Sequence, residues 1–463
     1  MNLDQRIDAM RDEIIKSTQE IIQIKSVEAE PKGDMPFGEG VQKSLECALE
    51  LSEKLGFSTK NVDNYAGHAD FGDGEEVLGI LVHVDVVPEG DNWDYPPYGA
   101  EIHNNRIYGR GAIDDKGPAI AALYAMKAVM DSGEELNKKV RMIFGTNEET
   151  HWKGIDYYLE KEKAPDLGFT PDADFPAIHG EKGILIFDFV KKIEDKINDG
   201  GIEILSIVGG TAPNSVPDFC QAKVRSNITF DHILKAFNEE RNAKIEMEKK
   251  DDLIVLKSYG VSAHGSTPEK GVNSIAHLLE FLNTLDLQIG DAANFIRDYS
   301  RLVGMDLNGE RIGCHLEDEQ SGKLVFNVGK INMTATDVEM AINIRYPVTE
   351  KAEDVYAGMR EKLDGTKIGI VEVETKLPLY VPKDDELVVK LMDVYRKHSG
   401  DTTSEPITIG GGTYARAIKN AVAFGPLMQD MEETAHQRNE YIDVDHLIDI
   451  AKIYAHAIYE LAK

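Results

Sequence analysis

Cysteine is scarce in this 463-residue chain: Cys47, Cys220 and Cys314 stand far apart, with no Cys-x-x-Cys pair. That spacing indicates neither a disulfide framework nor a cysteine zinc knuckle, and a reducing cytoplasm is the expected home. No run of about 18 apolar residues occurs, so no transmembrane helix is expected. The opening Met1-Asn-Leu-Asp-Gln-Arg-Ile lacks the apolar core and small-residue cleavage site of a secretory signal. Positive charge is also short, with 51 basic against 82 acidic side chains and a formal net charge of −31. Such a surface repels phosphate backbones and anionic headgroups, which sets aside nucleic acid and membrane as partners. It equally serves solubility alone and identifies no substrate.

Familiar motifs are missing as well. The His-Glu-x-x-His zinc signature is absent, which disfavours a single-zinc helix protease. Gly109-Arg-Gly111 is followed by Asp114 where a dinucleotide fingerprint needs its third glycine, and Gly410-Gly-Gly412 lacks a following Gly-Lys-Ser/Thr. Neither supports a nucleotide site. No strong repeat or low-complexity tract is visible.

What is present reads as an α/β protein whose length exceeds one ordinary core. Leu3, Ile7, Met10, Ile14, Ile15, Ile21 and Ile22 fall on one helical face, predicting a long amphipathic helix. The apolar runs Val77–Val82 and Val140–Phe144 flank a helix-forming stretch over Ala119–Met130. Strand, crossover helix and strand in that order predict a mainly parallel sheet flanked by helices. After about Gly183 the texture turns to alternating runs, Ile184–Val190 and Leu253–Leu256, mixed with a helical stretch over Ser274–Leu285, as in an α+β region. A helical pattern resumes from about Asp384 and a last helix opens near Asp443. The expected organisation is therefore a catalytic domain split between residues 1–183 and 383–463, with residues 184–382 inserted as a lid.

The chemistry-bearing residues cluster at the ends of the apolar runs. His83-Val-Asp85 closes one run; Asp114-Asp115 sits in Gly109-Arg-Gly-Ala-Ile-Asp-Asp-Lys-Gly117; Glu148-Glu149 follows a second run; Asp172 and His436 come later. Each has an ordinary explanation: a strand-end histidine, the start of a helix, a solvated acidic pair, a turn aspartate. Together they supply two imidazoles and three carboxylates with a spare glutamate, an inventory that suits two divalent metals sharing one carboxylate. Open α/β sheets place ligands just beyond the carboxyl ends of their strands, which is where His83 and Glu148-Glu149 are expected to lie. Asp85, two residues beyond His83 on the same side of an extended strand, is placed to hold that ring's other nitrogen.

These five separated motifs, in this order and over essentially the whole length, resemble the dinuclear metallopeptidase family of aminoacylases, glutamate carboxypeptidases and carnosinases, nearest to its bacterial dipeptidase V branch. The resemblance implies that His83 and Asp172 bind one metal, that Glu149 and His436 bind the other, and that Asp114 bridges them. It implies further that Asp85 orients His83, that Glu148 is the general base, and that the Asp114-Asp115 peptide is cis. His264, in Val-Ser-Ala-His-Gly-Ser, is implied as the donor to the oxyanion. Asn214, in Ala-Pro-Asn-Ser-Val-Pro, and Arg345, in Asn-Ile-Arg-Tyr-Pro, are implied to grip a substrate carboxylate. An aspartate at position 172 resembles the aminopeptidase and dipeptidase members, where carboxypeptidase and acyl-hydrolase branches tend to carry glutamate.

The expectation is a cytoplasmic metallo-dipeptidase that hydrolyses dipeptides with a free amino terminus, using two divalent ions. Zn2+ is the expected ion, with Mn2+ or Co2+ compatible with mixed imidazole and carboxylate ligands. An N-acyl amino acid or succinyl-diaminopimelate-type hydrolase is the nearest alternative, distinguished by a requirement for a free α-amine. A non-enzymatic peptide-binding protein is the alternative of another class, and a retained general base argues against it. The long insertion resembles forms in which one chain supplies both halves, so a monomer is expected.

Overall fold

The computed structural model describes residues 1–197 and 199–463. The chain divides into two units: Met1–Gly180 with Val381–Thr408 and Gly412–Lys463, and Glu181–Tyr380 with Ile409–Gly411. The glycine-rich Ile409–Gly411 thus groups with the second unit. No described helix is long and apolar enough to cross a membrane.

Unit one is built on a mixed sheet whose order begins Ser58–Val62, Ala66–Phe71, Lys139–Gly145, Val77–His83, Leu167–Thr170, Ala421–Ala423 and Ile178–Glu181. Its centre is parallel: Val77–His83 pairs in parallel with both Lys139–Gly145 and Leu167–Thr170, and Leu167–Thr170 pairs in parallel with Ala421–Ala423. The strands Ser58–Val62 and Ala66–Phe71 add an antiparallel flank. Every residue of Val77–His83 is buried, as a strand covered on both faces must be. The crossover is the helix Lys116–Ser132, rich in alanine and buried along almost its whole length. It packs against Val444–Ala462, the last helix. The register brings His83 opposite Gly145 and Ile80 opposite Phe169, so the three parallel strands end close together and on the same side.

The amphipathic N-terminal segment is two helices, Leu3–Ala9 and Arg11–Ile22, rather than one. Met10 between them has φ −96° and ψ 5°, off the helical region, and its N–H donates to the carbonyls of Arg6 and Ile7. The apolar face survives the break because Ile7, Ile14, Ile21 and Ile22 all join one buried core.

Unit two holds an eight-stranded antiparallel sheet, in the order Lys244–Lys250, Leu253–Tyr259, Phe219–Arg225, Glu203–Gly209, Val325–Met333, Asp337–Tyr346, Gly183–Lys192 and Gly369–Lys376. Residues of Gly183–Lys192 alternate between buried and half-buried from Leu185 to Lys191, the period-two pattern of a strand with one face in a core. That core includes Phe187, Leu256 and Ile342 of the sheet and Leu278, Phe281 and Ile296 of the helices Ser274–Asn283 and Asp291–Leu302.

Phe281 is fully buried, with its ring 5.4 Å from that of Phe237 and 5.9 Å from that of Phe230. Phe281→Ala is expected to destabilise unit two by about 3–5 kcal/mol through lost burial and the cavity left behind. Urea unfolding followed by a probe in unit two measures this; a loss below about 1 kcal/mol would show that the helix is not an anchor of that core.

Candidate metal centre

Three sequence-distant loops leave the carboxyl ends of the parallel strands of unit one and carry the acidic groups. His83 is the last residue of its strand, Glu148 and Glu149 lie just past Gly145, and Asp172 lies just past Thr170. His436 arrives from the segment before the last helix, with a backbone φ of 61°.

Asp114 joins the two histidines. Its Oδ1 is 3.0 Å from His83 Nε2 and its Oδ2 is 2.9 Å from His436 Nε2. Asp172 Oδ2 lies 3.7 Å from His83 Nε2, and Glu149 Oε2 lies 3.0 Å from His436 Nε2. Two groups of donor atoms result, His83 with Asp114 and Asp172, and His436 with Asp114 and Glu149; within each, the donor atoms lie within 4.8 Å of one another. Glu148 belongs to neither group. The peptide between Asp114 and Asp115 is cis.

The electrostatics show what this arrangement lacks. Burial pushes the Glu149 carboxyl up to about 7 and that of Asp172 up to about 6, with Asp114 as the next contributor in each case. Burial, then the charge of Asp172, also raises Glu148 well above the usual carboxylate range. In the other direction, Asp114 and Glu149 hold a proton on His436 up to about 11. Buried acids that resist ionising beside imidazoles that hold protons are a donor set short of positive charge. Divalent cations with a taste for nitrogen and carboxylate oxygen fit that deficit.

Asp85 supports His83 differently from the expected carboxylate contact. His83 Nδ1 lies 3.0 Å from the Asp85 backbone carbonyl oxygen and 3.6 Å from carboxylate Oδ1. The carboxylate is drawn to the next loop, where it accepts from the backbone N–H groups of Glu148 at 3.1 Å and Glu149 at 3.2 Å. One residue thereby sets both the imidazole and the acidic pair.

In unit two, the other three predicted residues also come close together. His264 forms an isolated bridge with Ser215, and the Gly265 N–H donates to the Asn214 carbonyl at 2.7 Å. His264 Nδ1 lies 2.6 Å from Ser266 Oγ. Arg345 is buried, donating through Nε to Asn343 Oδ1 at 3.0 Å and through a terminal nitrogen to the Gly410 carbonyl at 3.0 Å. A Cβ on Gly410 would stand 2.7 Å from Ser266 Cβ, so the loops of Ser266 and Gly410 are in contact. The Gly410 motif therefore serves close approach and a carbonyl contact.

Sequence reasoning missed Glu440. Its buried carboxylate accepts from Arg110 at 2.6 Å and from the backbone N–H groups of Ile113 at 3.0 Å and Asp114 at 3.2 Å. It thus fixes the loop that presents Asp114. Asp115 was read as a helix start and as half of the cis peptide, and its Oδ2 also accepts the His83 N–H at 3.1 Å. Tyr414, edge-on to His83 with ring centroids 6.3 Å apart, was also missed. The spacing of Glu440, four residues after His436, is the one signal that pointed there.

The sequence pattern of peptidase family M20/M25/M40 matches residues 79–460. The chain belongs to this family. A relative from Bacillus subtilis (strain 168), named "Putative dipeptidase YtjP", is 40% identical over 473 residues, with 100% of both chains covered. A Staphylococcus epidermidis protein named "Putative dipeptidase" is 38% identical over 459 residues, 97% of each chain. Among solved structures, human carnosine dipeptidase 1 matches with a TM-score of 0.60 at 16% identity, over 99% of this chain and 98% of that one. Saccharomyces cerevisiae Dug1p matches with a TM-score of 0.57 at 13% identity, again over 99% and 98%. At those identities the structural likeness shows a shared fold alone.

For the M20 loop around Asp114, the Arg110–Glu440 pair is the support most open to test, since its side chains are only 2% and 0% exposed. Glu440→Gln is expected to lose about 3–5 kcal/mol of stability, because it leaves a buried guanidinium without its charge partner. Metal affinity should fall about 10–100-fold as the hydrogen-bonded support of a ligand loop weakens. Thermal melts and metal titration of the same variant measure the two effects.

Proposed function

We propose that this M20 peptidase is a metal-dependent dipeptidase, cleaving dipeptides with a free amino terminus. The observation that carries the proposal is the position of Asp114, shared by two histidine-and-carboxylate groups, beside a half-buried glutamate that belongs to neither. The full-length relatives named as dipeptidases support the same reading.

In this reading His83 and Asp172 hold one divalent ion, Glu149 and His436 hold a second, and Asp114 holds both; Zn2+ is the proposed ion. Bound there, such ions polarise the peptide carbonyl and acidify the attacking water. The chain's own residues do the rest. Glu148 takes the proton from that water as it attacks the carbonyl carbon, and gives a proton to the leaving amine nitrogen as the C–N bond breaks. Its burial suits this, because a carboxyl raised toward neutrality accepts and releases a proton with little driving-force penalty. Asp85, through the amides of Glu148 and Glu149, keeps that carboxylate in register with the metal-holding residues. His264 is proposed as the donor to the oxyanion of the tetrahedral intermediate. Arg345 and Asn214 are proposed to recognise the substrate's terminal carboxylate, for which a guanidinium fork held by Asn343 and Gly410 is already oriented.

Glu148→Gln is expected to keep both ions and lose about 10²–10⁴-fold in kcat, since it removes proton transfer without removing a ligand. Metal content and single-turnover hydrolysis of one dipeptide decide this, and near-normal turnover would sink the assignment. The carboxylate reading has its own test. Arg345→Ala should impair a free dipeptide strongly while narrowing the gap to its C-terminal amide. Values of kcat/KM for both substrates in both proteins measure this, and an unchanged acid-to-amide ratio removes Arg345 from carboxylate recognition.

A further inference from the structure

Another group of donor atoms in unit one shares no residue with those around Asp114. Asp4, His398 and His456 each offer one ligand atom, and these atoms lie within 4.8 Å of one another. Asp4 lies in the first turn of Leu3–Ala9, His398 in the last turn of Glu386–Ser399, and His456 within Val444–Ala462. His456 Nε2 is 2.9 Å from Asp4 Oδ1, while the rings of His398 and His456 have centroids 4.3 Å apart and planes inclined at 46°.

Ordinary pairing accounts for Asp4 with His456 and leaves His398 unexplained. Its Nε2 is buried and has no hydrogen-bond partner among the described residues. Burial, then the neighbouring His456, lowers the His398 pKa, so the ring is neutral at physiological pH and keeps a lone pair to donate. Two imidazoles this close gain nothing from each other as cations, but they are well suited to share one.

We propose that Asp4, His398 and His456 form a further metal site that binds a divalent transition-metal ion of the zinc class. Two imidazole nitrogens and one carboxylate oxygen match that ion's ligand preference, with solvent completing the coordination. Bonds of roughly 2.0–2.1 Å in tetrahedral geometry set ligand atoms about 3.3 Å apart, so side-chain adjustment is enough to close the group. The Asp4 and His456 side chains are 42% and 20% exposed, which leaves the ion a route in from solvent. Lys397 and Lys452 are the nearby positive charges that act on His398. Lys452 is met by Asp8 at 2.7 Å and Asp449 at 3.9 Å, which offsets its repulsion of a dication. A bound ion ties the first helix of the chain to two helices from its far end, a structural role distinct from hydrolysis.

The test is a zinc count on the full-length protein. Wild type, Asp4→Ala, His398→Gln and His456→Gln are dialysed to equilibrium against the same buffered zinc, and zinc per chain is measured alongside dipeptide hydrolysis. Each variant is expected to bind one zinc ion fewer than wild type while retaining its hydrolytic rate. A zinc count equal to wild type in Asp4→Ala and His456→Gln overturns the proposal, and the three side chains are then only a hydrogen-bonded cluster. Asp4 is partly exposed on the first helix, so its variant folds and decides the question even if His398→Gln does not. A chain that hydrolyses no dipeptide but still loses one zinc on these substitutions would reject the dipeptidase reading and leave this site standing.

Discussion

An ionised carboxylate taken out of water without a positive partner costs several kcal/mol, against a net stability of about 5–15 kcal/mol for a folded domain. Unit one accepts that cost repeatedly: Asp85, Asp114, Glu148, Glu149 and Asp172 surround two imidazoles, and Asp115 and Glu440 are hydrogen-bonded to the same loops. The surroundings are organised to compensate. Asp85 is met by two backbone amides, Glu440 by Arg110 and two more amides, and Asp115 by the His83 amide. Burial drives the carboxyls of Glu148, Glu149 and Asp172 upward, and it does the same to Asp115 and Glu440 despite their hydrogen bonds. Backbone amides and the Arg110 guanidinium meet the outer acids, while the inner ones surround the two histidines.

The same constraint explains a buried lysine beside these acids. Lys116 is fully buried and donates to the carbonyls of Ile21 at 3.1 Å and Ile24 at 2.7 Å. Ile21 lies in the last turn of the helix Arg11–Ile22 and Ile24 two residues beyond it, at the negative end of the helix dipole. Burial lowers the Lys116 pKa to about 7, opposed by the charges of Cys47, Asp85 and Glu440. Lys116 therefore satisfies a helix terminus and anchors the Asp114 loop to the N-terminal helices at once.

The parallel centre of unit one was legible because Val77–Val82 and Val140–Phe144 are short runs that are apolar apart from Arg141, and parallel strands end together. His83, Glu148, Glu149 and Asp172 could be grouped without knowing the sheet order. What remained hidden depends on partners distant in sequence. Ser58–Val62 is mostly exposed or half-buried and carries no apolar pattern to announce a flank strand. The break at Met10 leaves the apolar spacing intact, so periodicity alone reads straight through it. Glu440 reads as one more acid in an acidic chain until Arg110, 330 positions away, is seen against it. Asp85 was placed correctly beside His83, but which of its oxygens faces the ring depends on where the Glu148–Glu149 amides lie.

In unit two, Arg345, proposed to recognise the substrate carboxylate, sits on a strand rather than a loop. Asn343 and Arg345 are two apart on Asp337–Tyr346 and so share one face of the strand. The Asn343 side-chain oxygen takes the Arg345 Nε–H, while the Gly410 carbonyl takes a terminal N–H, fixing the guanidinium plane from two sides. Asn327, on the neighbouring strand, donates to the carbonyls of Pro213 and Ser215 and so holds the turn that carries Asn214. Polar residues inside otherwise apolar strand runs are costly unless each finds such a partner. Here those partners are the turn and the guanidinium themselves, so the expense of burying Asn327 and Asn343 becomes rigidity at the residues proposed to meet the substrate carboxylate.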